Sequence, residues 1–278
     1  MTLIEGDCLI EMKKLKDDSI DLLFCDLPYG ATSCKWDCEI DLSQFWKEVN
    51  RICKDTTPMF FTCSTRFGVT LINSNPKNFR YDMVWVKSTA CGFLNAKKMP
   101  MRKHEMLYVF YRKLPFYDIS SHTHKFLNEE KVTREESSSL YGTETGKVFI
   151  YDENGKLRNS EPRYDPPLPA TVLRETDDTE CYDGAITYNY KNRNGAVYEP
   201  QLPDSLLDIP SQRGKHPTQK PVALIEWCLK YFSKEGDTVL DPTAGSGSTA
   251  VACRNLNRKY ICIEKDQEIF KVMEKRLI

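Results

Sequence analysis

The run Asp26-Leu27-Pro28-Tyr29-Gly30 gathers residue types that can recognise a flat amine. The Asp26 carboxylate accepts hydrogen bonds from an amino group. Pro28 biases Leu27 toward an extended conformation that exposes its carbonyl, and Tyr29 offers a ring face for stacking. The same types serve an ordinary strand-to-loop turn through their dihedral habits, so this run alone leaves both readings open. A second run, Asp241-Pro242-Thr243-Ala244-Gly245-Ser246-Gly247-Ser248, has glycines that let a backbone approach a nucleoside closely. The acid Glu264, seventeen residues beyond Gly247, can accept from ribose hydroxyls. The third glycine of the dinucleotide fingerprint is missing, since position 250 is Ala, and Asp241 would repel a phosphate. Both features favour a ligand without a pyrophosphate, and Asp241 suits a cationic one such as a sulfonium.

Both runs need strands to deliver them. Ile20 to Cys25 reads as a buried strand, and ligands of open α/β sheets bind outside the carboxyl ends of the strands, so residues 26–30 point into a site. Thr238-Val239-Leu240 reads as a strand, Thr249 to Leu256 as a helix, and Lys259 to Ile263 as a strand ending in Glu264, a βαβ unit around the glycine loop. Upstream, Thr2-Leu3-Ile4 is β-prone, and Leu9, Met12 and Leu15 fall on one face of a short helix that follows the turn through Gly6-Asp7-Cys8. A helix starting at Asp41-Leu42-Ser43 carries Phe45, Val49 and Ile52 on its apolar face, and Met59 to Cys63 is a further strand. Met83 to Val86 and Met106 to Tyr111 read as a hairpin-like pair joined by residues 87–105. Lys220-Pro221 opens a helix over Val222 to Phe232, and Asp266 to Leu277 forms the last helix.

With 278 residues the chain can bury a sizeable core. Lys and Arg number 39 against 40 Asp and Glu, so affinity for a polyanion must come from local clustering. Residues 87–113 cluster in this way, with seven cations against Glu105 alone. Residues 113–213 are different: Pro-rich, without helical periodicity, and holding 12 Lys and Arg against 18 Asp and Glu. Turn signals at Glu153-Asn154-Gly155 and Arg193-Asn194-Gly195, with aromatic anchors such as Tyr141, Phe149 and Tyr188, read as a small irregular module or a functional loop. The eleven cysteines form no CxxC pair and mostly sit in apolar runs, so they read as reduced, small hydrophobes of a cytoplasmic protein. Cys34 and Cys38 lack a second pair to complete a tetrahedral site, and no metal is expected. No secretory leader opens the chain and no apolar run approaches about 18 residues, so the expectation is a soluble protein with no membrane partner.

Together the motifs resemble those of amino-group DNA methyltransferases dependent on S-adenosyl-L-methionine, in the group whose catalytic motif precedes the cofactor motif. Asp26-Leu27-Pro28-Tyr29 is similar to that family's Asp/Ser/Asn-Pro-Pro-Tyr, and residues 241–248 are similar to its Asp-Pro-Phe-x-Gly-Ser-Gly-Thr. His216-Pro217-Thr218-Gln219-Lys220-Pro221, Trp85-Val86-Lys87 and His104-Glu105 followed by Leu107 to Phe110 match further segments in the group's own order. Leu27 and Thr243 depart from the pattern, replacing a proline and a phenylalanine.

The resemblance implies a doubly wound, mostly parallel seven-stranded α/β sheet of the Rossmann-like kind. Residues 1–112 and 214–278 would form the catalytic and cofactor-binding domain, and 113–213 a target-recognition insertion. Asp26, Leu27, Pro28 and Tyr29 would be catalytic. Asp7, Cys8, His216, Lys220, Asp241, Pro242, Thr243, Gly245, Gly247, Ser248 and Glu264 would hold S-adenosyl-L-methionine, with Asp7 at its adenine and Lys220 and His216 at its methionine end. The partner implied is double-stranded DNA with the target base flipped out onto Tyr29; a homodimer is left open. Lys87, Lys97, Lys98, Arg102 and Lys103 are the candidate phosphate contacts. Asp26 favours adenine N6 over cytosine N4, since the family's cytosine members more often carry Ser there. RNA or protein-glutamine methylation, or a binding module that has lost turnover, are the rival readings.

Overall fold

A computed structural model describes residues 1–28, 40–118, 120–121 and 219–277, and between them the short segments 123–124, 133–135, 147–149, 164–165 and 172–174. The expectations for Tyr29, Gly30, Cys34, Cys38 and His216, and for the turns at 153–155 and 193–195, lie outside the described residues. Two compact units divide the chain: residues 1–118, 170–179 and 191–278 form one, and residues 119–169 and 180–190 the other.

The first unit opens with β1 (Thr2–Glu5) and α1 (Cys8–Glu11), then β2 (Leu22–Cys25), α2 (Leu42–Ile52), β3 (Met59–Cys63) and α3 (Thr65–Ser74). The long β4 (Phe79–Cys91) and β5 (Arg102–Phe110) form a hairpin. In the second unit β6 (Thr123–His124) pairs antiparallel with β9 (Tyr164–Asp165), and β7 (Thr133–Glu135) with β8 (Lys147–Phe149). The first unit resumes with β10 (Val172–Arg174), α4 (Val222–Phe232), β11 (Thr238–Asp241), α5 (Ser248–Asn255), β12 (Lys259–Glu264) and α6 (Gln267–Leu277).

Among the described residues one sheet has eight strands, in the order β1-β12-β11-β2-β3-β5-β4-β10. The expected count of seven is corrected by β10, which adds in parallel to the outer edge of β4 through Val172↔Val84 and Arg174↔Val86. Every pairing is parallel except those of β5, which runs antiparallel to both β3 and β4. Two reversals restore direction, so β4 runs with β2 and β3. The carboxyl ends of β1, β12, β11, β2, β3 and β4 therefore lie along one edge.

All four residues of β2, Leu-Leu-Phe-Cys, are buried, as a continuous apolar run must be when a parallel strand is covered on both faces. Neighbouring residues of β3 show the two layers. Phe61 meets Phe45 and Trp46 of α2 at 6.1 and 5.4 Å between ring centres, and Phe60 meets Phe232 of α4 at 5.2 Å. Burying one such ring contributes roughly 1.5–3 kcal/mol. Helix α2 starts where Asp41 accepts from the Ser43 and Gln44 amides at 2.9 and 3.1 Å, which satisfies two otherwise orphaned donors.

Three expectations change. Helix α1 is shorter than the spacing predicts and continues as a 3-10 turn over Met12–Lys14. Helix α3 has no counterpart in the sequence reading. The hairpin strands run much further than their apolar cores, which leaves residues 92–101 rather than 87–105 as the connection.

Candidate active site

Asp26 follows the last residue of β2 and its carboxylate is held from both sides. Thr62 Oγ1 on β3 donates to Oδ1 at 2.8 Å, and Lys220 Nζ donates to Oδ2 at 2.6 Å. The Lys220 ammonium also lies 3.7 Å from Glu105 on β5, and Glu105 pairs with Lys87 of β4 at 3.0 Å. The chain Thr62, Asp26, Lys220, Glu105, Lys87 thus crosses four neighbouring strand positions. Burial pushes the Glu105 carboxyl up, but the ammonium groups of Lys220 and Lys87 outweigh it and hold the acid below its usual range. A concavity bounded by Ser64, Thr65, His104 and Glu105 opens beside this pair. Leu27 is buried in the core, so packing anchors the residue whose family counterpart is a rigid proline ring.

The glycine loop follows β11, which is the direct neighbour of β2. Thr243 Oγ1 donates to the Asp26 main-chain oxygen at 3.0 Å and lies 3.3 Å from Cys25 Sγ. The departure from the family's phenylalanine therefore has a use: this hydroxyl fastens the glycine loop to the amine motif across 217 positions of sequence. Asp241 is buried. Its Oδ1 accepts from the Thr243 amide at 3.1 Å and its Oδ2 from the Thr249 hydroxyl, so it shapes the loop from within. Burial pushes its carboxyl up to about 7, against the two hydrogen bonds that lower it.

Gly245 and Gly247 both have positive φ, at +53° and +81°. At Gly247 a side-chain carbon would stand 2.6 Å from Met273 Cγ on α6, so packing explains that glycine without a ligand. At Gly245 such a carbon would meet nothing within 4 Å, so the loop presents a bare backbone to open space. Beside it, Glu264 Oε2 accepts from the Gly245 amide at 2.9 Å and Oε1 from the Asp266 amide at 2.8 Å. Each oxygen keeps a lone pair for a further donor. Burial raises the Glu264 pKa. Asp7 caps α1 by accepting from the Leu9 amide at 2.9 Å and pairs with Lys265 at 3.0 Å. Half-buried Cys8 is pushed up to about 12 by burial and by Asp7, which keeps it a thiol. Ser248 Oγ donates to the Lys220 carbonyl at 2.7 Å, and Pro242 is buried beneath the loop. An open backbone cradle flanked by acceptors at the ends of β1, β11 and β12 suits a nucleoside and its ribose hydroxyls.

Among the described residues, Asp26, Thr243, Lys220 and Ser248 are linked by hydrogen bonds. Lys220, expected at the methionine end of the cofactor, pairs with Asp26. Of the cation cluster, Lys97, Lys98 and Arg102 are exposed, Lys87 is engaged with Glu105, and Lys103 is buried, which removes it as a phosphate contact. Sequence reasoning missed Thr62, and it took Glu105 as part of a matching segment and as the one acid among cations, without a role in the site. An acid set between Lys103 and the apolar run Met106 to Phe110 was the signal for the latter. Among the described residues no cluster of metal-ligating side chains forms, no helix is long and apolar enough to cross a membrane, and the eight cysteines form no disulfide.

Comparison with known proteins finds relatives along nearly the whole chain. The sequence family described as DNA methylase, the N6/N4 group, matches residues 20–275. Type II methyltransferase M.HinfI of Haemophilus influenzae is 25% identical over 303 residues, covering 99% of this chain and 68% of its own length. DNA adenine methyltransferase YhdJ of Escherichia coli K12 is 27% identical over 286 residues, covering 99% of this chain and 82% of its own. The solved complex of M1.HpyAVI with SAM shares the fold with a TM-score of 0.54 at 19% identity, over 99% of this chain and 98% of that one.

Proposed function

The chain belongs to the N6/N4 DNA methylase family, whose methyl donor is S-adenosylmethionine, and we propose that its target is the N6 amino group of adenine in duplex DNA. When bound, the cofactor supplies an electrophilic methyl group on a sulfonium sulfur. The chain's own residues deal with the nucleophile. An exocyclic amine is weak because its lone pair is delocalised into the ring. Accepting its hydrogens at the Asp26 carboxylate and the Leu27 carbonyl concentrates charge on the nitrogen and aims its lone pair. Thr62 and Lys220 fix the carboxylate, buried Leu27 fixes the carbonyl, and rate is gained chiefly by positioning. The methylated nitrogen is left with a positive charge and gives up a proton, for which Asp26 is the acceptor at hand.

Asp7, Gly245 and Glu264 hold the adenosine end, and the Gly247–Ser248 turn supports the loop beneath it. A base in a duplex cannot reach Asp26, so the target is flipped from the stack, with Tyr29 as its stacking partner. Lys97, Lys98 and Arg102 contact phosphates, and residues 113–213 read the surrounding bases.

The observation that carries the reading is the Thr243–Asp26 hydrogen bond, which puts an acceptor for amine hydrogens beside a nucleoside cradle. Adenine is favoured by the carboxylate at position 26 and by the likeness to YhdJ, an adenine methyltransferase by name. The test is to incubate the protein with methyl-labelled S-adenosylmethionine and unmethylated DNA, digest to nucleosides and identify the product. N6-methyladenine is expected. N4-methylcytosine alone overturns the adenine assignment, and label in RNA or protein glutamine with none in DNA overturns the DNA assignment.

A further inference from the structure

We propose that the tip of the β4–β5 hairpin is a wedge that enters the duplex and fills the space left in the base stack when the target nucleotide leaves it. The proposal rests on the DNA-methylation reading and adds a residue-level device for opening the substrate.

Topology places the tip. Because β4 runs with β2, its carboxyl end at Cys91 carries residues 92–101 off the same sheet edge as Asp26. The base of the hairpin is bonded to the site, since Glu105 on β5 reaches Lys87 at 3.0 Å and Lys220 at 3.7 Å, and Lys220 holds Asp26.

The chemistry of the tip is unusual for a surface turn. Phe93 is 73% exposed and Leu94 94%, adjacent in sequence and facing water. Lys97, Lys98 and Arg102, also exposed, follow them in the same connection and at the start of β5. The backbone is braced: the Asn95 amide donates to Gly92 O at 2.9 Å, the Lys98 amide to Asn95 O at 2.8 Å and the Met99 amide to Asn95 O at 3.0 Å, with Ala96 buried beneath. A firm loop that presents two apolar side chains has already lost much of the freedom that insertion would take from it.

Apolar side chains inserted between base steps, next to cations that meet the phosphates, are a recurring way to open a duplex. Unstacking a base costs about a few kcal/mol, and a side chain that occupies the vacated space offsets part of that. A second copy of the chain is the other candidate for an exposed apolar tip. The cations decide against it, because two such tips would repel each other while a polyanion attracts both.

The test uses the double variant Phe93→Ala/Leu94→Ala and two duplexes carrying the sequence that the parent protein is found to methylate. The duplexes differ only in whether the target base is paired or mispaired. The variant is expected to lose on the order of 10²-fold in kcat/KM on the paired duplex and to stay within roughly 3-fold of the parent on the mispaired one, where the unstacking cost is already reduced. Equal loss on both duplexes, no loss on the paired one, or a change from dimer to monomer in light scattering would overturn the wedge. Failure to find any DNA sequence that the parent protein methylates would overturn the methyl-transfer reading itself, and the wedge with it.

Discussion

Glu105 touches no reacting atom in this account, yet it stands between two cations, Lys87 and Lys220, and fixes the ammonium that fixes Asp26. Glu105→Gln keeps the shape and removes the charge. The expected outcome is a fall in kcat of roughly 10- to 100-fold, with KM for DNA and the melting temperature little changed, because misplacing a positioned group by a fraction of an ångström acts on the rate. A rise in KM at constant kcat would instead assign Glu105 to substrate binding. Asp241 yields a prediction about pH. A carboxyl whose folded pKa lies above its unfolded one binds its proton more tightly in the folded chain. Its contribution to stability is therefore whole below about pH 4 and declines as pH rises toward about 7, where burial has placed the folded value despite Thr249 and Thr243, with Asp26 and Glu264 adding to the rise. Asp241→Asn removes that decline. The melting temperature of the variant relative to the parent should climb between about pH 4 and pH 7 and level off above; a difference independent of pH would show that this carboxyl does not titrate differently on folding.

Helix α3 shows what packing decides and local sequence does not. Its residues, Thr-Arg-Phe-Gly-Val-Thr-Leu-Ile-Asn-Ser, include β-branched types and a glycine, all weak helix formers, and its cap is a long 3.5 Å contact from the Phe67 amide to Ser64 Oγ. Tertiary contacts hold it instead. Ser74 Oγ accepts from the Trp46 indole at 2.8 Å, and Gly68 lies flat against Tyr108, where an added side-chain carbon would come within 2.4 Å of three ring or hydroxyl atoms. Gly68→Ala is therefore expected to destabilise the fold by about 1–3 kcal/mol in denaturant unfolding, as overpacking does, and a neutral effect would mean that Tyr108 has room to swing away. The strands β2, β3, β11 and β12 and the helices α2, α4, α5 and α6 were legible, because long apolar runs and strong periodicity leave few alternatives. The three residues of β10 carry no such signal, and their pairing with β4 is set by contacts far away in sequence.

Across the whole molecule, two stretches of chain more than two hundred positions apart meet at adjacent strands. Residue types made each motif a candidate, and the order of the motifs along the chain carried the resemblance to the family. What joins them was not readable, since the Thr243 hydroxyl, the Thr62 donor and the Lys220 bridge are facts of register between strands. Register also moved one expected residue out of contention, because alternation along β5 turns Lys103 inward while Arg102 faces solvent. The nearly neutral total charge likewise hides a cationic tip on the hairpin and an acidic segment over residues 113–213. The most direct test of the shared crevice compares the parent with Asp26→Ala for methyl transfer to DNA and for binding of S-adenosylmethionine, measured side by side. The account predicts transfer reduced by about 10²–10³-fold or more, with cofactor binding within a few fold of the parent. Full transfer by the variant would contradict it.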